Sequence, residues 1–118
     1  MKSIRTIAML SLALSVCACA TNKELQPQRW AQAVQTADSR AAHLSLAEHY
    51  EEIAATLDAD AAEERAMLEQ YLAKPWKYGK RIHDLKSQAS GMIQDLEKAA
   101  KESRQLATYH RQMAKQEK

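Results

Sequence analysis

Apolar residues recur every three or four positions along most of this chain, which is the spacing of one face of an α-helix. Between residues 28 and 73 the repeat runs through Leu46, Ile53, Leu57 and Leu68, and neither proline nor glycine interrupts it. Regular alternation of apolar and polar residues, which is typical of a half-buried strand, is absent. The pattern predicts a long first helix over residues 28–73.

A proline and a glycine close together predict the end of this helix. Pro75 disfavours helical backbone at the residue before it, and Gly79 tolerates left-handed backbone. We therefore expect a turn over residues 74–80 and a second helix over residues 81–117. The first helix is either continuous or broken near residue 38, where an Asp-Ser pair suits a helix cap.

The second helix carries its apolar residues in a heptad pattern, with alternate steps of three and four residues. The predicted seam residues are Ile82, Leu85, Ala89, Met92, Leu96, Ala99, Ser103, Leu106, His110 and Met113. If positions match across the turn, Gly91 lies opposite Ala61 and Ala62. Gly91 either permits a close approach of the two helices or only weakens the second one, and the sequence leaves both alternatives open.

Charge is divided unequally between the two predicted helices. Residues 38–73 hold nine acidic and two basic residues, whereas residues 74–118 hold eleven basic and five acidic ones. A short turn favours antiparallel neighbours, and opposite net charge favours their pairing. We predict an all-α fold, a long antiparallel two-helix hairpin of the coiled-coil type. Because the apolar face of the first helix is wide, dimerisation to a four-helix bundle is a further expectation.

The chain begins with the pattern of an export signal. Lys2 and Arg5 precede an apolar stretch at residues 7–16, which is too short to span a bilayer, and small residues follow it. We therefore predict a signal peptide over residues 1–18.

The cleavage region resembles a bacterial lipobox, in which Cys19 carries the lipid and residues 19–27 form a tether. The alternative is ordinary cleavage after Ala20, which would release a free periplasmic protein. Cys17 and Cys19 are the only cysteines, so we expect no intramolecular disulfide in the mature chain. We predict that the protein lies in the periplasm, and that its lipid anchors it to the outer membrane.

Composition limits the function. Two glycines in the whole chain leave no glycine-rich phosphate loop, and neighbouring carboxylates on a helix diverge instead of converging on a pocket. Without Lys2 and Arg5 the acidic and basic residues are equal in number, whereas nucleic-acid-binding proteins normally carry a positive excess. We expect no enzyme and no nucleic-acid partner, but a scaffold or protein-binding module that associates with itself or with another envelope protein.

The turn between the helices is the first candidate site. Aromatic residues among cations suit contact with a membrane interface, an anionic glycan or an acidic protein surface. The residues concerned are Trp76, Lys77, Tyr78, Lys80 and Arg81. The plainer alternative is a cap in which Trp76 covers the end of the seam.

A pair of histidines is the second candidate site. His43 and His110 face each other if positions match across the turn, and Met113 lies one turn beyond. We expect no cofactor here, and two partly exposed histidines near helix ends. Because imidazole and thioether ligands suit copper(I), a copper site at these residues is the alternative. No partner is evident for His49 or His83.

Three stretches of the chain resemble a group of small exported helical proteins of Gram-negative bacteria. They are HLSLAEHYEEIA at residues 43–54, Tyr78-Gly79-Lys80, and LATYHRQMA at residues 106–114. The resemblance implies a helical envelope protein, and it implies no activity and no site residue.

Overall fold

The computed structural model describes residues 27–117, and every regular element in that range is helical. The all-α prediction is therefore confirmed. The predicted signal peptide, the lipidation residue Cys19 and the tether as far as residue 26 lie outside the described residues. None of the helices within residues 27–117 carries an apolar stretch of the length needed to cross a membrane.

Two helices, α1 (Pro27–Thr36) and α2 (Arg40–Ala73), cover the stretch expected to form the first helix. Ser39 stands before α2 with an extended backbone, and its hydroxyl accepts a hydrogen bond from the Ala42 N–H at 3.2 Å. The N–H groups in the first turn of a helix lack carbonyl partners within the helix. The Ser39 side chain therefore sets the point at which α2 begins.

The tip segment, a 3₁₀ stretch at Pro75–Arg81, joins α2 to α3 (Ile82–Gln116). α2 ends where the Lys74 N–H donates to the Gln70 carbonyl at 3.2 Å. Inside the tip segment, Gly79 has φ 57° and ψ −140°, backbone that residues with a Cβ atom adopt only under strain. Gly79 therefore lets the chain reverse direction between the two long helices.

Ion pairs seven residues apart show how α2 and α3 lie together. They join Glu51 to Arg111, Asp58 to Arg104 and Arg65 to Glu97. Each step toward the tip along α2 is matched by an equal step along α3, so the two helices run in opposite directions. All six side chains are roughly half exposed, and such a pair contributes only about 0–1 kcal/mol to stability. The ion pairs therefore define the register more than they stabilise the fold.

The seam, as we call the buried contact between α2 and α3, consists mostly of alanine. Its alanines are Ala47, Ala54 and Ala61 from α2 and Ala89, Ala100, Ala107 and Ala114 from α3. Leu46 and Ile93 are the larger apolar residues among the buried ones. Small side chains on both helices let the two backbones approach closely, and burial of the methyl groups stabilises the pair.

The predicted seam of α3 is right in one of its two rows and wrong in the other. Ala89 and His110 are buried, as predicted. Met92, Leu106 and Met113 are 48%, 41% and 37% exposed, so their assignment to the seam is wrong. In each case the residue that follows is buried in its place. After Leu106 and Met113 that residue is alanine, and the close packing of the two helices favours the smaller side chain. After Met92 it is Ile93, which is of similar size.

Gly91 has no role in this close approach. A Cβ atom built on Gly91 would meet no other atom within 4 Å, and Ala62 is exposed whereas Ala61 is buried. Of the two alternatives for Gly91, a close approach of the helices at this residue is therefore wrong. The other alternative, that glycine weakens the helix by about 1 kcal/mol relative to alanine, stays a prediction.

Candidate functional site

The structure brings His43 of α2 and His110 of α3 into contact across the seam. Their Nδ1 atoms are 3.1 Å apart, and the side chains are only 6% and 8% exposed. The ring centroids are 5.4 Å apart. This is close to the sum of the nitrogen–nitrogen distance and the two ring radii, so both nitrogens lie near the line that joins the ring centres. The two nitrogens therefore point at each other nearly head-on, in the geometry of an N–H···N hydrogen bond.

The two histidines pair their Nδ1 atoms with each other. One imidazole donates from a protonated Nδ1, and the other accepts on an unprotonated Nδ1. The pKa of His110 is lowered, first because burial disfavours the imidazolium and second because His43 lies beside it. Within the described part of the chain, no buried side-chain nitrogen or oxygen lacks a hydrogen-bond partner. The two facing Nδ1 atoms therefore satisfy each other within a mostly apolar seam.

The copper site that the sequence offers as an alternative combines these two histidines with Met113. Met113 is 37% exposed and lies beside the seam, while its neighbour Ala114 lies within it. A metal ion on the line between two imidazole nitrogens holds them about 4 Å apart, at about 2.0–2.1 Å from each. The observed Nδ1–Nδ1 distance of 3.1 Å is that of an ordinary hydrogen bond. A metal ion between the two nitrogens would have to move the rings apart. Among residues 27–117, no three or more His, Cys, Asp or Glu side chains are grouped to hold a metal ion.

Five aromatic rings form a chain from α1 to α3, the ring cluster of Trp30, His49, Tyr50, His110 and His43. Trp30 stacks on His49 with ring centroids 3.8 Å apart and planes 7° apart. Tyr50 lies 5.7 Å from both His49 and His110 and is nearly parallel to His110. Sequence reasoning missed Trp30 as the partner of His49, because helical spacing does not relate positions across the break before α2. The cluster holds α1 against α2.

Trp30 and His49 also form part of the wall of an open groove between α1 and α2. Arg29 of α1 and the carboxylates Glu48 and Glu52 of α2 line the same groove. Burial lowers the pKa of His49, and the negative charge of Glu52 acts in the opposite sense. The faces of the two rings that meet in the stack contact each other, so they are not available to a ligand in the groove.

At the tip, Trp76 is 76% exposed and does not cover the end of the seam, so the predicted cap is wrong for this residue. Tyr78 instead packs edge-on against Tyr71, with ring centroids 5.0 Å apart. The ammonium group of Lys77 lies 5.9 Å from the centre of the Tyr78 ring, and Arg81 pairs with an aspartate in the first turn of α3. The tip therefore presents an exposed indole among cations.

A row of apolar side chains at heptad intervals runs along one side of the α2–α3 pair, and we call it the apolar flank. It consists of Ile53 and Met67 from α2 and Leu85, Met92, Leu106 and Met113 from α3. Leu46 continues the α2 row but is only 1% exposed and belongs to the seam. Between 37% and 48% of Met67, Met92, Leu106 and Met113 is exposed. Leu106 follows Arg104 by two residues, roughly 200° around the helix. The apolar flank and the ion pairs therefore lie on opposite sides of the seam.

Comparison of the chain with models of protein families, with curated proteins and with solved structures finds no match. The resemblance to small exported helical proteins therefore stays a prediction.

Proposed function

We propose that this chain is a non-enzymatic scaffold or protein-binding module of the cell envelope, whose working unit is the hairpin of α2 and α3. The apolar flank carries the proposal. Met92, Leu106 and Met113 stay exposed although the seam beside them is filled with alanine. A contiguous apolar surface in water is unfavourable unless another surface covers it, so such rows are typical of binding sites.

The proposed position in the cell follows from the predicted export signal. With lipid on Cys19, the chain is anchored at a membrane surface in the periplasm, and cleavage after Ala20 gives the free periplasmic alternative. α2 and α3 contain 34 and 35 residues, which makes each about 50 Å long. A hairpin of this length carries its binding surfaces well away from the anchor.

Two additional helices would cover the apolar flank and complete a four-helix bundle. They come either from a second copy of the chain or from another envelope protein. The tip offers a second contact surface, in which Trp76 is surrounded by Lys77, Tyr78, Lys80 and Arg81.

Photo-crosslinking in living cells tests the binding role of the flank. A photoreactive amino acid is placed at Met92 or Leu106 on the flank, or at Gln94 or Thr108, which are exposed on the opposite side of α3. We expect crosslinked products from the first two positions and few from the control positions. Equal crosslinking at all four positions, or none at any, contradicts the proposal.

The tip contact is tested separately with Trp76→Ala. We expect a photoreactive residue at position 77 to lose its crosslinked partner in this variant. Because Trp76 is 76% exposed, circular dichroism should show unchanged helicity. Crosslinks that persist in the variant reject the tip contact.

A second candidate function, a small periplasmic copper-binding protein, is favoured by the convergence of His43 and His110. Purified protein is titrated with copper(I) and with zinc(II) beside a His43→Leu/His110→Leu variant. An affinity weaker than about micromolar, or one that the variant retains, removes this candidate.

A further inference from the structure

The borders of the apolar flank carry negative charge. Positions three residues after each position of the flank rows lie next to the flank on its outer side. Within α2 and α3 these positions hold Glu63, Asp95 and Glu102 and neither lysine nor arginine, and Asp60 stands in the flank row itself. All four carboxylate side chains are exposed.

The cations of α3 lie mainly elsewhere on the hairpin. Arg104 and Arg111 pair with carboxylates of α2 on the opposite side of the seam. Lys101 stands two residues beyond the flank row and therefore points away from it. Lys98 comes nearest, with its ammonium group 4.0 Å from Glu102. One side of the hairpin thus combines exposed apolar side chains with an acidic border.

We infer that the apolar flank binds an amphipathic α-helix of a second protein, one whose apolar stripe is bordered by lysine and arginine. This inference rests on the proposed binding function and adds the chemistry of the partner. Met92, Leu106 and Met113 pack against the apolar stripe of that helix, and the flexible methionines adjust to its shape. The cations beside the stripe reach the carboxylates of Asp95 and Glu102.

A second copy of this chain is the less favourable occupant. When two identical flanks meet about a twofold axis, the border of one copy lies against the same border of the other. Like charges across an interface oppose association, whereas opposite charges speed the encounter and select the partner. A basic helix turns the acidic border into an attractive surface.

Two synthetic helical peptides of equal length and identical apolar heptads serve as probes. One carries lysine beside its apolar stripe and the other carries glutamate there. Calorimetry measures the affinity of each peptide for the protein purified from its own cells. At low salt we expect the lysine peptide to bind at least about tenfold more tightly. The difference should shrink as salt is added, because salt screens exposed charges.

Charge reversal on the protein makes the test specific. The double variant Asp95→Lys/Glu102→Lys should bind the glutamate peptide more tightly than the lysine peptide. The matched control Gln94→Lys/Thr108→Lys adds cations on the opposite side of α3 and should keep the preference for the lysine peptide. All four side chains are exposed, so circular dichroism should show that both variants remain helical.

Three outcomes overturn the inference. The first is equal binding of the two peptides or tighter binding of the glutamate peptide, which leaves a binding flank without its basic partner. The second is a dimer in light scattering that Met92→Gln/Leu106→Gln converts to monomers, which makes a second copy the occupant. The third is a monomeric protein that binds neither peptide. Crosslinking at the flank in cells then tests the proposed function independently of this inference.

Discussion

Substituting leucine for His43 or His110 removes one half of a buried hydrogen bond and leaves the other half in place. Both side chains are less than a tenth exposed, so water cannot readily replace the lost partner. A buried polar group without a partner costs about 1–3 kcal/mol. We therefore expect the free energy of unfolding of each single variant to fall by about 1–3 kcal/mol relative to wild type.

The double variant His43→Leu/His110→Leu removes both polar groups and fills their space with apolar side chains. Replacement of both partners by apolar groups of similar shape is nearly neutral, so this variant should lie within about 1 kcal/mol of wild type. If the two effects were independent, the loss would be about 2–6 kcal/mol. The gap between these values measures the energetic coupling of the two rings.

Urea unfolding followed by circular dichroism at constant pH measures these free energies, and an unchanged slope shows that the unfolded state is comparable. His83→Leu is the matched control, because His83 is exposed on α3 and its replacement should change stability by less than about 0.5 kcal/mol. Losses that add in the double variant, or single variants as stable as wild type, would show that the rings do not depend on each other.

The same pair makes stability depend on pH. The pKa of His110 in the folded chain lies below its ordinary value of 6.5, because of burial and of His43. Below pH 6.5 the unfolded chain binds more protons than the folded one. The contribution of His110 to the free energy of unfolding is therefore fully present above pH 6.5 and is lost as the pH falls toward the lowered pKa. Burial lowers the pKa of His49 as well, which adds a loss of the same sign. The double leucine variant should keep only the His49 contribution, and a pH profile identical to wild type contradicts this assignment.

Ala61→Leu overfills the seam and should lower the free energy of unfolding by about 1–3 kcal/mol, whereas Ala62→Leu on the exposed surface should change it by less than about 0.5 kcal/mol. Thermal unfolding of the two variants checks this contrast, and similar midpoints would mean that the seam has room for leucine. Gly79→Ala places a Cβ on backbone at φ 57° and should cost about 1–3 kcal/mol. Gly91→Ala meets no atom within 4 Å and should add about 0.5–1 kcal/mol of stability, so urea midpoints that move in the same direction for both glycines would contradict the backbone argument.

The seam shows how far spacing alone leads. In most heptads α3 offers two adjacent apolar residues, such as Leu106 and Ala107 or Met113 and Ala114. Heptad spacing admits either member of each pair, and size alone favours the larger for the core. At both of these pairs the structure buries the alanine, because α2 also presents alanine and the two helices pack closely.

In the ring cluster too, the sequence predicts one contact and not the other. The approach of His43 to His110 follows from matching positions on either side of the turn, which the sequence contains. The stack of Trp30 on His49 does not follow, because the break before α2 changes the direction of the chain by an amount that no local pattern encodes. The head-on orientation of the two Nδ1 atoms depends on side-chain conformations that packing selects.

The helical character of residues 27–117, the reversal near Pro75 and Gly79 and the unequal division of charge could all be read from the amino-acid sequence, because each depends on interactions within a few residues. Tertiary structure was needed to decide which of two apolar rows on α3 became the seam and which became the apolar flank. That choice depends on the distance between two backbones, a distance that neither helix sets alone. It leaves Met92 and Leu106 at the surface, beside the acidic border.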